Sequence, residues 1–91
     1  MAATAEHLQQ QYAALPFRRG SDGSIEILLV TSRRTGRWII PKGWPAAGMA
    51  PFELAAREAL EEGGVAGRID EQPIGCYRHK KTLSDGSVVR C

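Results

Sequence analysis

Residues 57 to 64 read REALEEGG and place three glutamates, Glu58, Glu61 and Glu62, at i, i+3 and i, i+4 spacing behind Arg57. On a helix these spacings bring the carboxylates to one side, where like charges repel by roughly 0.2–0.5 kcal/mol per pair. The two glycines that follow would end the helix, so the acids also fall in its last turn, where the helix dipole disfavours anions. A divalent cation would reverse both penalties. Mg²⁺ and Mn²⁺ prefer carboxylate oxygens, and Glu58, Glu61 and Glu62 would offer three within a small volume. Taken alone, an acidic helix is more simply a solvated face, with Arg57 paired to Glu53 or Glu61 across one turn. The flanking sequence decides between the two accounts.

The helix that must position these residues is expected from about Pro51 to Glu62. Proline suits the first helical position, whereas Ala50 is a poor N-cap. Phe52, Ala55, Ala56, Ala59 and Leu60 form an apolar stripe by helical periodicity, with the glutamates and Arg57 assigned to the opposite side. A glycine- and proline-rich loop, PKGWPAAGMAP, leads into the helix. Before it, YAALPFRR reads as a strand containing Pro16, which suits an edge or a bulge. IEILLVTSR (25–33) is the strongest strand pattern and is expected to be covered on both faces. The turn RTG then makes it one arm of a hairpin with RWII. Strands are expected near 68–79 and 87–91, joined by a turn at LSDGS. The tetrapeptide SDGS occurs at 21 and again at 84, which we read as the same turn chemistry used twice.

The wider spacing is specific. Gly43, then five residues, Met49, seven residues, and REALEEGGV closely resemble the Nudix box, G-x5-E-x7-R-E-U-x-E-E-x-G-U, where U is a bulky aliphatic. Gly43, Arg57, Glu58, Glu61, Glu62, Gly64 and Val65 match in register, and Ala59 is a small occupant of its aliphatic position. Met49 departs from the pattern by standing where the box has its first glutamate. A thioether cannot supply a carboxylate's charge or hydrogen bonds, so support for Arg57 is expected to be weaker here.

The resemblance spans residues 12 to 91 and implies an α/β fold. The implied architecture is a Nudix-like α/β/α sandwich with a mixed sheet, truncated at the C-terminus. It further implies hydrolysis of a pyrophosphate linkage with Mg²⁺ or Mn²⁺ as cofactor. Under it, Glu61 and Glu62 are the leading metal ligands, with the Gly43 carbonyl as an addition. Glu58 is a further ligand or the base that takes a proton from water, and Arg57 orients a glutamate. The catalytic set is therefore Arg57, Glu58 and Glu61, and the metal set Gly43, Glu58, Glu61 and Glu62. Substrate-binding candidates come from the basic clusters: Arg18, Arg33, Arg37, Lys42, Arg78 and Lys80. The run SRRTGRWIIPKG resembles the diphosphoinositol polyphosphate phosphohydrolase branch, which also cleaves dinucleoside polyphosphates. The alternative is a catalytically impaired module that binds polyphosphate or nucleotide, or a truncated remnant.

Composition sets the outer limits. The chain has 91 residues, 43% hydrophobic and 24% charged, with 12 basic and 10 acidic residues for a net charge of +2. This suits one globular domain with a small core and is too mild a charge to point to nucleic acid. Residues 1–10 are expected to be a flexible segment and residues 11–91 a single, partial domain. No apolar run is long enough to cross a bilayer. Cys76 and Cys91 are expected as free thiols, and a cytoplasmic location is expected with them. The short chain predicts homo-oligomerisation or a missing C-terminal segment. Trp38 is expected in the core and Trp44 packed beneath the loop and helix.

Overall fold

A computed structural model describes residues 8–91. The described residues form one helix and eight short strands. They are β1 (Tyr12–Ala13), β2 (Phe17–Arg19), β3 (Ile25–Ile27), β4 (Val30–Thr31), β5 (Trp38–Ile39), β6 (Lys42–Gly43), α1 (Pro51–Gly63), β7 (Lys80–Thr82) and β8 (Val88–Arg90). The strands pair antiparallel as β1–β6, β2–β3, β4–β5 and β7–β8. Of the N-terminal segment set apart in the sequence, residues 1–7 lie outside the described residues. Leu8 makes a parallel bridge to Arg90, and the Gln9 N–H donates to the Arg90 carbonyl at 2.7 Å.

The helix begins and ends for the reasons its sequence supplies. Pro51 occupies the first turn, and Ala50 is extended with no side-chain acceptor to offer. The cap comes from Glu53, whose Oε1 accepts from the Ala50 N–H at 2.9 Å. At the other end Gly64 takes φ 67°, a left-handed value that glycine adopts without steric cost. Its N–H reaches the Leu60 carbonyl at 3.0 Å, and the Val65 N–H reaches the Ala59 carbonyl at 3.3 Å. This closes the last turn.

The helix packs on β1 and β6. Leu54 is fully buried, and Ala55, Ala59 and Ala14 complete the core. The buried face therefore differs from the alanine-centred stripe. Leu60 is half exposed, and the row Leu54–Glu58–Glu62, one residue per turn, runs along the packed side. Glu58 and Glu62 thus do not lie opposite the core. They continue its edge, because a helix this close to a two-stranded ribbon covers residues on both flanks of the contact.

The strands are shorter than their patterns suggest. The Tyr12–Arg19 run breaks into β1 and β2 at Leu15 and Pro16, and the Pro16 carbonyl accepts from the Leu28 N–H at 3.0 Å. The 25–33 run breaks between Ile27 and Val30 as its pairing switches from β2 to β5. It is not covered on both faces, since Ile25, Ile27 and Leu29 are exposed. Phe17 stands opposite Ile27 in the β2–β3 register and is also exposed, which gives that ribbon an apolar outer face. Trp38, expected in the core, is 70% exposed. The expected hairpin does form, with Val30 opposite Ile39 and Thr31 opposite Trp38. No strand forms over 68–79, where Pro73 interrupts the run and no neighbouring segment pairs with it. Pairing resumes at His79, whose N–H and carbonyl bond to those of Cys91.

The two SDGS segments fold alike. Asp22 Oδ1 accepts from the Ser24 N–H at 2.9 Å and the Ser24 hydroxyl at 2.6 Å. Asp85 does the same with Ser87 at the same two distances. Gly23 and Gly86 take φ 83° and 90°. Cys76 and Cys91 are both free.

Candidate active site

Residues of β6, the loop after it, α1 and β7 line a cavity of about 430 Å³. Lys42, Gly43, Trp44, Arg57, Glu58, Glu62 and Lys81 line it, together with Gln11, Pro45 and Ala46. Acids and cations therefore meet in one hollow.

Gly43 is placed by β6, directly opposite Tyr12. An added Cβ at Gly43 would lie 2.5 Å from Glu58 Oε1 and 2.6 Å from its Cδ. Only a residue without a side chain lets that carboxyl lie against the strand. Glu62 Oε2 accepts from the Lys42 N–H at 3.2 Å, so the end of α1 is fixed to the same strand. The Glu58 side chain is 13% exposed. Burial raises its pKa above the ordinary carboxyl value, and the negative charges of Glu62 and Glu61 and a hydrogen bond to Glu62 act in the same direction. Arg57 opposes them weakly. Neighbouring like charges of this kind disfavour the ionised form of Glu58.

Arg57 is held loosely. Its Nη1 donates to Met49 Sδ at 3.1 Å, Nη2 lies 3.7 Å from Glu58 Oε1, and Nε lies 3.9 Å from Glu61 Oε1. The last is an ion pair without a hydrogen bond, and Nε is buried with no hydrogen-bond partner. Met49 thus does accept one bond from Arg57, contrary to the expectation for a thioether, but it brings no charge. Glu61 stays largely exposed and does not line the cavity.

Lys42 and Lys81 line the same cavity. Burial lowers the pKa of Lys42, and the charge of Lys81 lowers it further, against a raising effect from Glu62. Gln11 is fixed by His79, whose Nε2 lies 2.9 Å from Gln11 Oε1. Burial and the charge of Lys42 lower the His79 pKa.

Of the basic residues singled out for substrate, the cavity gathers Lys42. Arg18 pairs with Glu26 at 2.9 Å on the outer β2–β3 ribbon. Arg33 and Arg37 stand at the β4–β5 turn, where Arg37 Nε donates to Thr35 Oγ1 at 3.3 Å. Arg78 and Lys80 are exposed and do not line the cavity. Lys81 takes the place assigned to Lys80, because neighbouring residues of β7 point to opposite faces. That alternation was the signal available in the sequence. Gln11 and Lys81 are the lining residues that sequence reasoning missed.

Among the described residues, no group of three or more His, Cys, Asp or Glu side chains is arranged to hold a metal ion. The structure gathers Glu58 and Glu62 and leaves Glu61 aside. Two carboxylates still fit Mg²⁺, which is commonly held by one or two of them and completes its shell with water and substrate phosphates. A dication between Glu58 and Glu62 would offset the repulsion between their charges.

The structure thus brings Gly43, Glu58 and Glu62 together with Lys42 and Lys81 in one cavity. The chain is related in sequence to the Nudix hydrolases. It is 32% identical over 75 residues to Nudix hydrolase 21, chloroplastic, of Arabidopsis thaliana, across 79% of this chain and 37% of that protein. It is 40% identical over 65 residues to diphosphoinositol polyphosphate phosphohydrolase 3-beta of Bos taurus, across 70% of this chain and 38% of that one. The crystal structure of C. elegans Ap4A hydrolase matches with a TM-score of 0.61 at 23% identity, covering 92% of this chain and 63% of that chain. This last likeness shows a shared fold. No family model matches the chain. The chain spans between 30% and 40% of the length of the curated relatives it matches. Among the described residues, no helix is long and apolar enough to cross a membrane.

Proposed function

We propose that the cavity hydrolyses a pyrophosphate linkage with the help of Mg²⁺ or Mn²⁺. The substrate classes are a nucleoside diphosphate derivative, a dinucleoside polyphosphate or a diphosphoinositol polyphosphate. The observation that carries this reading is the gathering, within one cavity, of Glu58 and Glu62 with Lys42 and Lys81. The lysines match the charge of linked phosphates, and their mutual repulsion is relieved when an anion lies between them. The metal would be held by Glu58 and Glu62, with the Gly43 carbonyl as an additional donor, and would polarise a phosphoryl oxygen and acidify a bound water. Glu58 is also suited to accept the water's proton, because its pKa is raised toward the range in which a base works near neutral pH. Glu61 and Arg57 border this pair and set its charge. The names of the bovine and nematode relatives, a diphosphoinositol polyphosphate phosphohydrolase and an Ap4A hydrolase, favour a polyphosphate.

Incubation with Mn²⁺ or Mg²⁺ and a panel of nucleoside diphosphate sugars, dinucleoside polyphosphates and diphosphoinositol polyphosphates tests the reading. Metal-dependent phosphate or nucleotide release from at least one class is expected. Binding of the same compounds without release would support the second reading, a polyphosphate-binding module, which the lack of a third clustered carboxylate favours.

Gly43 provides a more local check. In Gly43→Ala the new methyl must displace the Glu58 carboxyl, the mobile end of a side chain. The fold is expected to lose about 1 kcal/mol. The displacement of a reacting group by about 1 Å is expected to lower turnover about 100-fold. Urea unfolding and steady-state kinetics measure the two effects separately. Full activity in this variant would show that the approach of Glu58 to β6 is irrelevant.

A further inference from the structure

The guanidinium of Arg57 is only partly satisfied in the cavity. Its Nη1 hydrogen bond runs to the uncharged sulfur of Met49, its two carboxylate contacts are 3.7 and 3.9 Å long, and its buried Nε has no hydrogen-bond partner. The motif carries glutamate where Met49 stands, and a carboxylate there would take up the guanidinium's charge. Met49 leaves that charge available. Arg57 lines the same cavity as Lys42 and Lys81, so three cations border one space.

We propose that Arg57 binds the substrate directly in this chain, as an anion subsite for the phosphate oxygens of a pyrophosphate link that Met49 leaves uncovered. The guanidinium presents paired N–H donors in the geometry that phosphate oxygens accept. Lys42 and Lys81 line the same cavity, so a diphosphate would meet three cations there, with Glu58 and Glu62 available to its metal. Arg57 is then a binding residue with a role beyond orienting a neighbouring glutamate.

This inference rests on the pyrophosphate reading of the cavity, and the test separates the two. Inorganic pyrophosphate is titrated calorimetrically into the chain in EDTA, where no hydrolysis can occur. Met49→Glu is expected to weaken binding about tenfold, which corresponds to about 1.4 kcal/mol. Met49→Gln, which is equally polar but uncharged, is expected to stay within about threefold of the parent chain. Unchanged or tighter binding by Met49→Glu would overturn the proposal, as would equal weakening by both variants, since that would reflect packing alone. Should Met49→Glu fail to fold by circular dichroism, Arg57→Lys and Arg57→Gln decide. Loss of binding in the glutamine variant with retention in the lysine variant supports the subsite, and equal binding by both overturns it. Charge-sensitive pyrophosphate binding without turnover on any compound of the panel would leave the subsite standing and remove the hydrolase reading.

Discussion

Glu58→Gln is expected to lower metal-dependent hydrolysis about 1000-fold, the scale of a lost general base, and at the same time to raise the melting temperature of the metal-free chain at neutral pH. Both follow from one carboxyl. Glu58 lies against Gly43 and shares a hydrogen bond with Glu62, so its ionised form is opposed by burial and by two neighbouring negative charges. Its folded pKa is therefore above the unfolded value of 4.5. The folded state then holds a proton more tightly than the unfolded one between those two pKa values. The contribution of this group to stability is fully present below the unfolded pKa and is lost as pH rises through the folded pKa. At neutral pH the parent chain carries the resulting penalty, and glutamine, of nearly the same shape, does not. The stabilisation by Glu58→Gln should thus be seen in thermal melts at pH 7 and vanish at pH 4. Adding Mn²⁺ should reverse the order, because a ligand present at 100 times its dissociation constant stabilises the native state by about 2.7 kcal/mol. A variant that is inactive yet less stable than the parent at pH 7 without metal would contradict this account of the site.

Leu54→Ala is expected to cost about 3 kcal/mol, within the range of roughly 2–5 kcal/mol for emptying a closed core site. Leu54 has no exposed surface, and the other buried apolar side chains of the core, Ala14, Ala55 and Ala59, are all alanines. Alanines bury little area, so one leucine side chain supplies a large share of the fully buried apolar surface of α1. For a domain whose total stability is on the order of 5–15 kcal/mol, that loss is a large fraction. The urea midpoint should fall markedly, and activity should fail with temperature well before that of the parent chain. Leu60→Ala is the matched control. Leu60 is half exposed on the same helix, and its loss should cost about 0.5 kcal/mol or less. Equal destabilisation by the two variants would mean that the core has been assigned to the wrong face.

That contrast also shows what the sequence reveals and what it conceals. The ends of α1 are legible, because Pro51, Gly63 and Gly64 act through local backbone geometry. The SDGS turns are legible for the same reason: an aspartate, a glycine and a serine satisfy their own backbone. The spacing from Gly43 to Val65 marks the site by itself. The facing of the helix is less accessible. Five apolar positions point to Leu60, whereas the β1–β6 ribbon meets the side that holds Leu54, and this rotation brings Glu58 and Glu62 inward and leaves Glu61 out. Strand burial is hidden in the same way. Trp38 and the 25–33 run have core-like composition, but whether a face is covered depends on a partner layer that local pattern does not describe. The choice between Lys80 and Lys81 depends on a register one residue wide. Arg18 is the simplest case, since its charge is spent on Glu26 across the β2–β3 ribbon, a pairing set by strand register.

If the carboxyls of Glu58 and Glu62 stand together to hold a divalent ion beside a phosphorylated ligand, the ion itself can report its position. Titration of the isotopically labelled chain with Mn²⁺, in the presence of a nucleoside diphosphate, does so through paramagnetic broadening of backbone signals. Broadening centred on Gly43, Glu58 and Glu62, and lost in Glu58→Gln, is the predicted result. Broadening centred elsewhere, or none at saturating ion and nucleotide, would contradict it.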